Sequence, residues 1–207
     1  MKKLIGLLAV AFVANTAQVF AKECKVGDKG PGGGYIFYCG DVKDKVQDPT
    51  ALRKFTAGCK GKCIGLEAAP SDQDKPLPWG PICVSTGAIG EEIGDGMDNT
   101  LKIMTDVGIT AHKTISSDGS LDGDYAALSC YWKKTDNGNN WFLPSGEELN
   151  LMYMNLYLKG VGDFSYNWYW SSSEYYEVSA WFQYFYNGHK HLYNKRTRNN
   201  VRCARAF

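Results

Sequence analysis

The sequence predicts an α+β fold, and three observations carry that prediction. The last third of the chain is a series of strand-like segments separated by tight polar turns. Three stretches before it place apolar residues at helical spacing, and all seven cysteines lie beyond an N-terminal apolar leader. The expected arrangement is therefore mixed or antiparallel sheets with two or three flanking helices, held by disulfides.

The leader reads MKKLIGLLAVAFVANTAQVFAKE. Lys2 and Lys3 precede an apolar run over residues 4–14, and Val19 and Ala21 stand where a signal peptidase reads small residues. Residues 1–21 are expected to be a signal peptide and residues 22–207 a single domain. The apolar run falls short of the roughly 20 residues a membrane span needs, and no later segment approaches that length. The chain is thus expected to be secreted or displayed on the cell surface, with the periplasm as the alternative destination. Export makes Cys24, Cys39, Cys59, Cys63, Cys83, Cys130 and Cys203 a disulfide framework with one thiol left over, its connectivity open. Cys59 and Cys63 in GCKGKC would close a small loop. A zinc site is the less favoured alternative, because no second pair stands at ligand spacing.

Taking the elements in order, VGDKGPGGG (26–34) is a turn-rich lead into a strand over 35–39. Its glycine period ends too soon for a collagen helix. Residues 42–62 are polar with little periodicity and read as an irregular insertion. A short strand over 64–69 precedes the proline-rich loop SDQDKPLPWGP. Asp98 or Asn99 can cap a helix whose face is Leu101, Met104 and Val107. A second helix is expected over 125–134, with Leu128 and Trp132 facing inward and Cys130 available for bridging. WFLPSGEEL (141–149) then stops a short strand at Pro144. Ser145 and Glu148 form a capping-box pattern, and Leu149, Met152, Tyr153 and Leu156 line one helix face. YWSSSE (169–174) and AWFQYF (180–185) read as strands. Alternation puts Trp181, Gln183 and Phe185 on one face and Phe182, Tyr184 and Tyr186 on the other. Asn187-Gly188 marks a hairpin turn into a returning strand over 189–193.

WFLPSGEELNLMY, YWSSSE, AWFQYF and VRCARAF resemble the C-terminal domain of the Legionella collagen-like adhesin, a family of bacterial extracellular domains within the C-type-lectin-like superfamily. VGDKGPGGGYIFYC (26–39), GLEAAPSDQ (65–73), PWG (78–80) and IGDGMDNTLKI (93–103) are similar to further blocks of that family in the same order, so the resemblance covers nearly the whole mature chain. It implies a C-type-lectin-like fold, a bridge from Cys130 to Cys203, binding of sulfated glycosaminoglycans, and a homotrimer. The adhesin's collagen-like stalk has no counterpart here.

Basic and acidic residues nearly balance, 23 against 22, so net charge names no partner. Distribution says more: Lys190, Lys195, Arg196, Arg198, Arg202 and Arg205 follow Gly188 with no acidic residue among them. Clustered cations suit the sulfates and carboxylates of a polysaccharide. The candidate ligand-binding residues are Lys190, Lys195, Arg196 and Arg198 with His189, His191 and Tyr193. The alternative is a solvated loop whose Arg202 and Arg205 pair with carboxylates inside the fold. The aromatic stretch from Trp168 to Tyr186 is expected mainly to fill the core and cover a sheet, with exposed tyrosines stacking on sugar rings as the functional alternative. The expected function is an adhesin-like module for anionic glycans, or else a protein–protein adhesion or oligomerisation domain. Nucleic acid is not an expected partner of an exported chain.

No enzymatic activity, metal or cofactor is expected. VRCARAF is also similar to the ending of formylglycine-generating enzymes, but their catalytic cysteine spacing is not recognisable. None of His112, His189 and His191 sits in a catalytic motif, and His189 and His191 lack a third metal ligand. Asp118, Asp122 and Asp124 fit an exposed turn better than a calcium loop.

Overall fold

A computed structural model describes residues 24–41, 46, 48–57, 59, 63–107, 114–115, 121–122 and 124–207. The expected signal peptide over 1–21, His112 and Asp118 lie outside these. The fold is α+β. One antiparallel sheet has the order β1 (Tyr35–Cys39), β2 (Gly65–Ala68) and β8 (Ala204–Ala206). The other runs β5 (Trp168–Tyr176), β6 (Ser179–Tyr184) and β7 (Lys190–Asn194). A two-residue ladder joins β3 (Thr114–Ile115) to β4 (Leu121–Asp122), so Asp122 belongs to a strand rather than to the turn expected there.

Four helices are described where two or three were expected. The additional one is α1 (Pro49–Ala57), inside the stretch read as irregular. Its start is chemically explicit: the Asp48 carboxylate accepts the amides of Thr50 at 2.8 Å and Ala51 at 2.7 Å, and Pro49 takes the first helical position. Ala51 and Phe55 are its buried face. In α2 (Asp95–Val107) the start lies upstream of both expected caps. Asp95 accepts the Glu92 amide at 2.9 Å, while Asn99 is buried and spans from the Gly90 carbonyl to the Ser172 hydroxyl. α3 (Ala126–Tyr131) buries Leu128 and Cys130 as expected but ends early, so Trp132 lies outside the helix and half-exposed instead of inward.

α4 (Gly146–Asn155) begins as the sequence requires. The Ser145 hydroxyl accepts the Glu148 amide at 3.3 Å, and Glu148 accepts the Ser145 amide at 2.8 Å. Leu149, Met152 and Leu156 are buried against Phe37, Leu66, Phe142, Tyr169 and Phe185. A second core gathers Trp79, Ile103, Met104, Leu128, Trp141, Trp170 and Val201. Before α4, Trp141 to Leu143 are buried, but only Phe142 bridges, to Ala204, so this stretch is a single contact rather than a strand.

The glycine-rich turn has its explanation in one carboxylate. Glu67, fully buried on β2, accepts the amides of Gly32 at 2.9 Å and Gly34 at 3.1 Å and pairs with Arg205. A Cβ at Gly34 would collide with the Ala68 carbonyl oxygen, so the turn can approach β2 only without side chains. Disulfides join Cys24–Cys39, Cys59–Cys63 and Cys130–Cys203. Cys83, counted among the candidates, is a free and exposed thiol. No helix among the described residues is long and apolar enough to cross a membrane.

Candidate ligand-binding surface

The sheet β5–β6–β7 has two different faces, and the strand register assigns every side chain to one of them. Trp168 stands opposite Tyr184, Trp170 opposite Phe182, Phe182 opposite His191 and Ala180 opposite Tyr193. Side chains alternate along a strand, so Trp168, Trp170, Ala180, Phe182, Tyr184, His191 and Tyr193 share a face, with Trp170, Ala180 and Phe182 buried in the second core. Tyr169, Gln183 and Lys190 take the other, which packs on α4: the Gln183 amide donates to Asn150 at 2.9 Å and Lys190 reaches Glu147 at 3.4 Å.

On the first face the rings touch in sequence. Trp168 lies 5.7 Å from Phe182, 5.7 Å from Tyr184 and 6.1 Å from Tyr193, measured between ring centroids. Phe182 continues to His191 at 5.9 Å, and His191 to His189 at 6.1 Å. At the opposite end Tyr184 meets Tyr186 at 5.6 Å, and Tyr186 meets Tyr166 at 4.3 Å. Trp168, Tyr166, Tyr186 and Tyr193 are 37%, 58%, 53% and 46% exposed. The hairpin that closes this surface depends on Gly188, whose φ of 76° suits glycine and whose absent Cβ leaves room for the Tyr153 ring.

The basic cluster expected to be one site is divided by the fold. His189, His191 and Tyr193 belong to the aromatic face, and Lys190 turns to the α4 side. Lys195 is removed from the candidate site altogether. It is fully buried, ion-paired with Glu174, donates to the Val84 carbonyl at 3.1 Å, and lies 4.5 Å above the Trp79 ring. Burial pulls its pKa below the usual lysine range, and Glu174 opposes that pull. Its carboxylate partner also accepts the amides of Thr86 and Gly87, so the pair straps the 84–87 loop to β5.

Arg202 and Arg205 are likewise internal. Arg202 donates to Asp72 at 2.7 Å and to the carbonyls of Ala69 and Gly162, and Arg205 pairs with Glu67. Arg196 and Arg198 remain exposed, in the turn that leaves β7 just after Tyr193. That turn returns alongside β5, where the Asn200 amide donates to the Trp168 carbonyl at 2.9 Å, so its backbone runs beside the edge of the aromatic face, while the Arg198 guanidinium reaches the Pro76 carbonyl at 3.5 Å. Among the described residues no group of three or more His, Cys, Asp or Glu side chains converges as metal ligands would.

The array was partly legible. Alternation identifies Phe182, Tyr184 and Tyr186 as one face and leaves out Tyr166, which precedes the strand. Its signal was the same two-residue spacing, Tyr166 then Trp168, entering the strand. Tyr169, Trp170 and Phe185 fill the core as expected, whereas Trp168, Tyr175, Tyr176 and Tyr186 are exposed.

No protein-family model matches this chain, and no curated protein matches it, so the resemblance to the adhesin domain rests on the quoted motifs. Among solved structures, the chain is similar in fold to a fimbrial protein from Bacteroides ovatus ATCC 8483, with a TM-score of 0.53 at 12% sequence identity. The match covers 89% of this chain and 49% of that one, so the chain spans about half the length of that structure.

Proposed function

We propose that this chain is an exported, non-enzymatic adhesion module of lectin-like architecture that holds an anionic glycan on the outer face of β5–β6–β7. The observation that carries the reading is the continuous ring array from Tyr166 to His189, in which Tyr166, Trp168, Tyr186 and Tyr193 are exposed around the buried Phe182. Indole and phenol rings stack on the C–H faces of sugars, and their polar edges meet hydroxyls. Arg196 and Arg198, in the turn beside its edge, supply charge-assisted, bidentate bonds to sulfate or carboxylate. A fold shared with a fimbrial protein supports an adhesion-related role, and three disulfides suit an oxidising compartment.

Retention on immobilised heparin across a salt gradient tests this reading. The wild type should elute well above physiological salt, and Arg196→Ala/Arg198→Ala should elute early, because exposed charges act through a screened field. Trp168→Ala should weaken retention by about tenfold or more in affinity, as truncating an interface tryptophan does. Lys190→Ala should elute with the wild type, since its ammonium faces Glu147. If all variants wash through with the wild type, the glycan reading fails. The same exposed rings would then favour the second reading, a contact between copies of the chain or with another protein. A trimer that Trp168→Ala dissociates, measured by light scattering and indifferent to salt, would establish it.

A further inference from the structure

Where α3 ends, Trp132 stands between two depressions that no residue of the aromatic sheet face lines. The larger, about 350 Å³, is walled by Gln73, Asp74, Asp124, Ser129 and Lys133. The smaller, about 170 Å³, is walled by Tyr131, Asn139 and Asn140. Trp132 borders both and is 50% exposed, with the Tyr131 ring edge-on to it at 5.2 Å. Lys133 is fixed rather than waving: its ammonium donates to the Gln73 side-chain oxygen at 2.9 Å. Gln73 in turn donates from its side chain to the Ser129 carbonyl and from its backbone to Val201. An ammonium has three donors, so two are left for a ligand.

The chemistry of these walls selects a ligand class. Two carboxylates balance two ammonium groups, Lys133 and Lys134, so a polyanion gains nothing here that it would not lose to Asp74 and Asp124. Carboxylate, amide and ammonium in one cleft supply acceptors and donors together, which suits hydroxyl groups, each able to donate and accept. A half-exposed indole between them offers the apolar platform a pyranose ring needs. The larger depression alone reaches the lower end of ligand-sized cavities, about 300 to 1,000 Å³. We propose that this cleft is a second carbohydrate site, separate from the sheet face, which takes a pyranose residue of a neutral oligosaccharide with Trp132 as stacking platform and Asp74 and Lys133 as hydroxyl partners.

Saturation-transfer NMR of the mature protein with neutral hexasaccharides tests the proposal. The probes are β-1,4-linked glucose, N-acetylglucosamine, mannose and xylose, and α-1,4-linked glucose, each at physiological salt and at roughly 1 M salt. At least one should receive saturation, unchanged by salt. Trp132→Ala should weaken that binding about 30-fold and Asp74→Ala about tenfold, while Arg196→Ala/Arg198→Ala leaves it intact. Asp74 is exposed, so its variant keeps the test valid if Trp132→Ala folds poorly. Failure of every probe, or binding that survives both the Trp132 and Asp74 variants, overturns the proposal. Loss on Trp168→Ala instead would assign the sugar to the sheet face and overturn it equally. Heparin retention is independent of all these outcomes, so failure of the sheet-face reading stays distinguishable.

Discussion

Lys195 and Lys190 are both lysines beside a glutamate on or just after one strand, and burial alone makes them opposites. Removing Lys195 strands the Glu174 carboxylate inside the protein. Lys195→Ala should therefore lower the unfolding free energy by about 3 to 5 kcal/mol in urea titrations. Lys190 and Glu147 are solvent-exposed, so Lys190→Ala should cost no more than roughly 1 kcal/mol. Glu148 makes a prediction in pH. Burial pushes its carboxyl up to about 7, against the amides of Ser145 and Gly94, which favour the charged form. A carboxyl raised in the folded state favours folding at low pH, and that contribution is lost as pH rises from about 4.5 to about 7. Stability should thus fall by roughly 3 kcal/mol across this window relative to Glu148→Gln, compared by urea midpoints at both ends. A difference that is flat or rising would show that the capping amides hold the carboxylate charged throughout.

At the scale of elements, local chemistry was legible where it was self-contained. Ser145 and Glu148 begin α4 with groups three residues apart, and Tyr35–Cys39 stands as β1 just where the turn-rich lead placed it, whereas the hairpin marked by Asn187-Gly188 turns through four residues, 185–188, between Tyr184 and His189 rather than through two. The start of α1 is equally local, Asp48 followed by Pro49, but the polar surroundings mask the buried pair Ala51 and Phe55. What no local pattern shows is a partner far along the chain. Arg205 and Glu67 are 138 residues apart, and Lys195 and Glu174 are 21, so a run of basic residues that looks like one solvated cluster is distributed between core and surface by pairings the sequence does not order. The glycines of 30–34 belong to the same class: Gly30 and Gly32 lie against the Glu67 carboxylate and Gly34 against the Ala68 carbonyl. Gly34→Ala should cost about 1 to 3 kcal/mol, the range of overpacked sites, with the thermal midpoint as readout.

For the molecule as a whole, the Cys130–Cys203 bridge ties α3 to the run leading into β8, with both of its ends buried in the second core. Its partners are 73 residues apart, a long loop for the unfolded chain to leave open. The Cys130→Ala/Cys203→Ala variant should lose roughly 2 to 5 kcal/mol, and native exchange of the β8 amides should rise with it. The placement of the six tryptophans has a different consequence. Trp79, Trp141 and Trp170 are sealed in the interior and Trp181 is partly covered, which leaves Trp132 and Trp168 as the indoles that meet water most fully. One stands in each proposed sugar site. The red edge of the protein's intrinsic emission, and its quenching by iodide, is therefore a two-channel optical signal. Heparin should shield the Trp168 channel and a neutral oligosaccharide the Trp132 channel, with no label added to the chain.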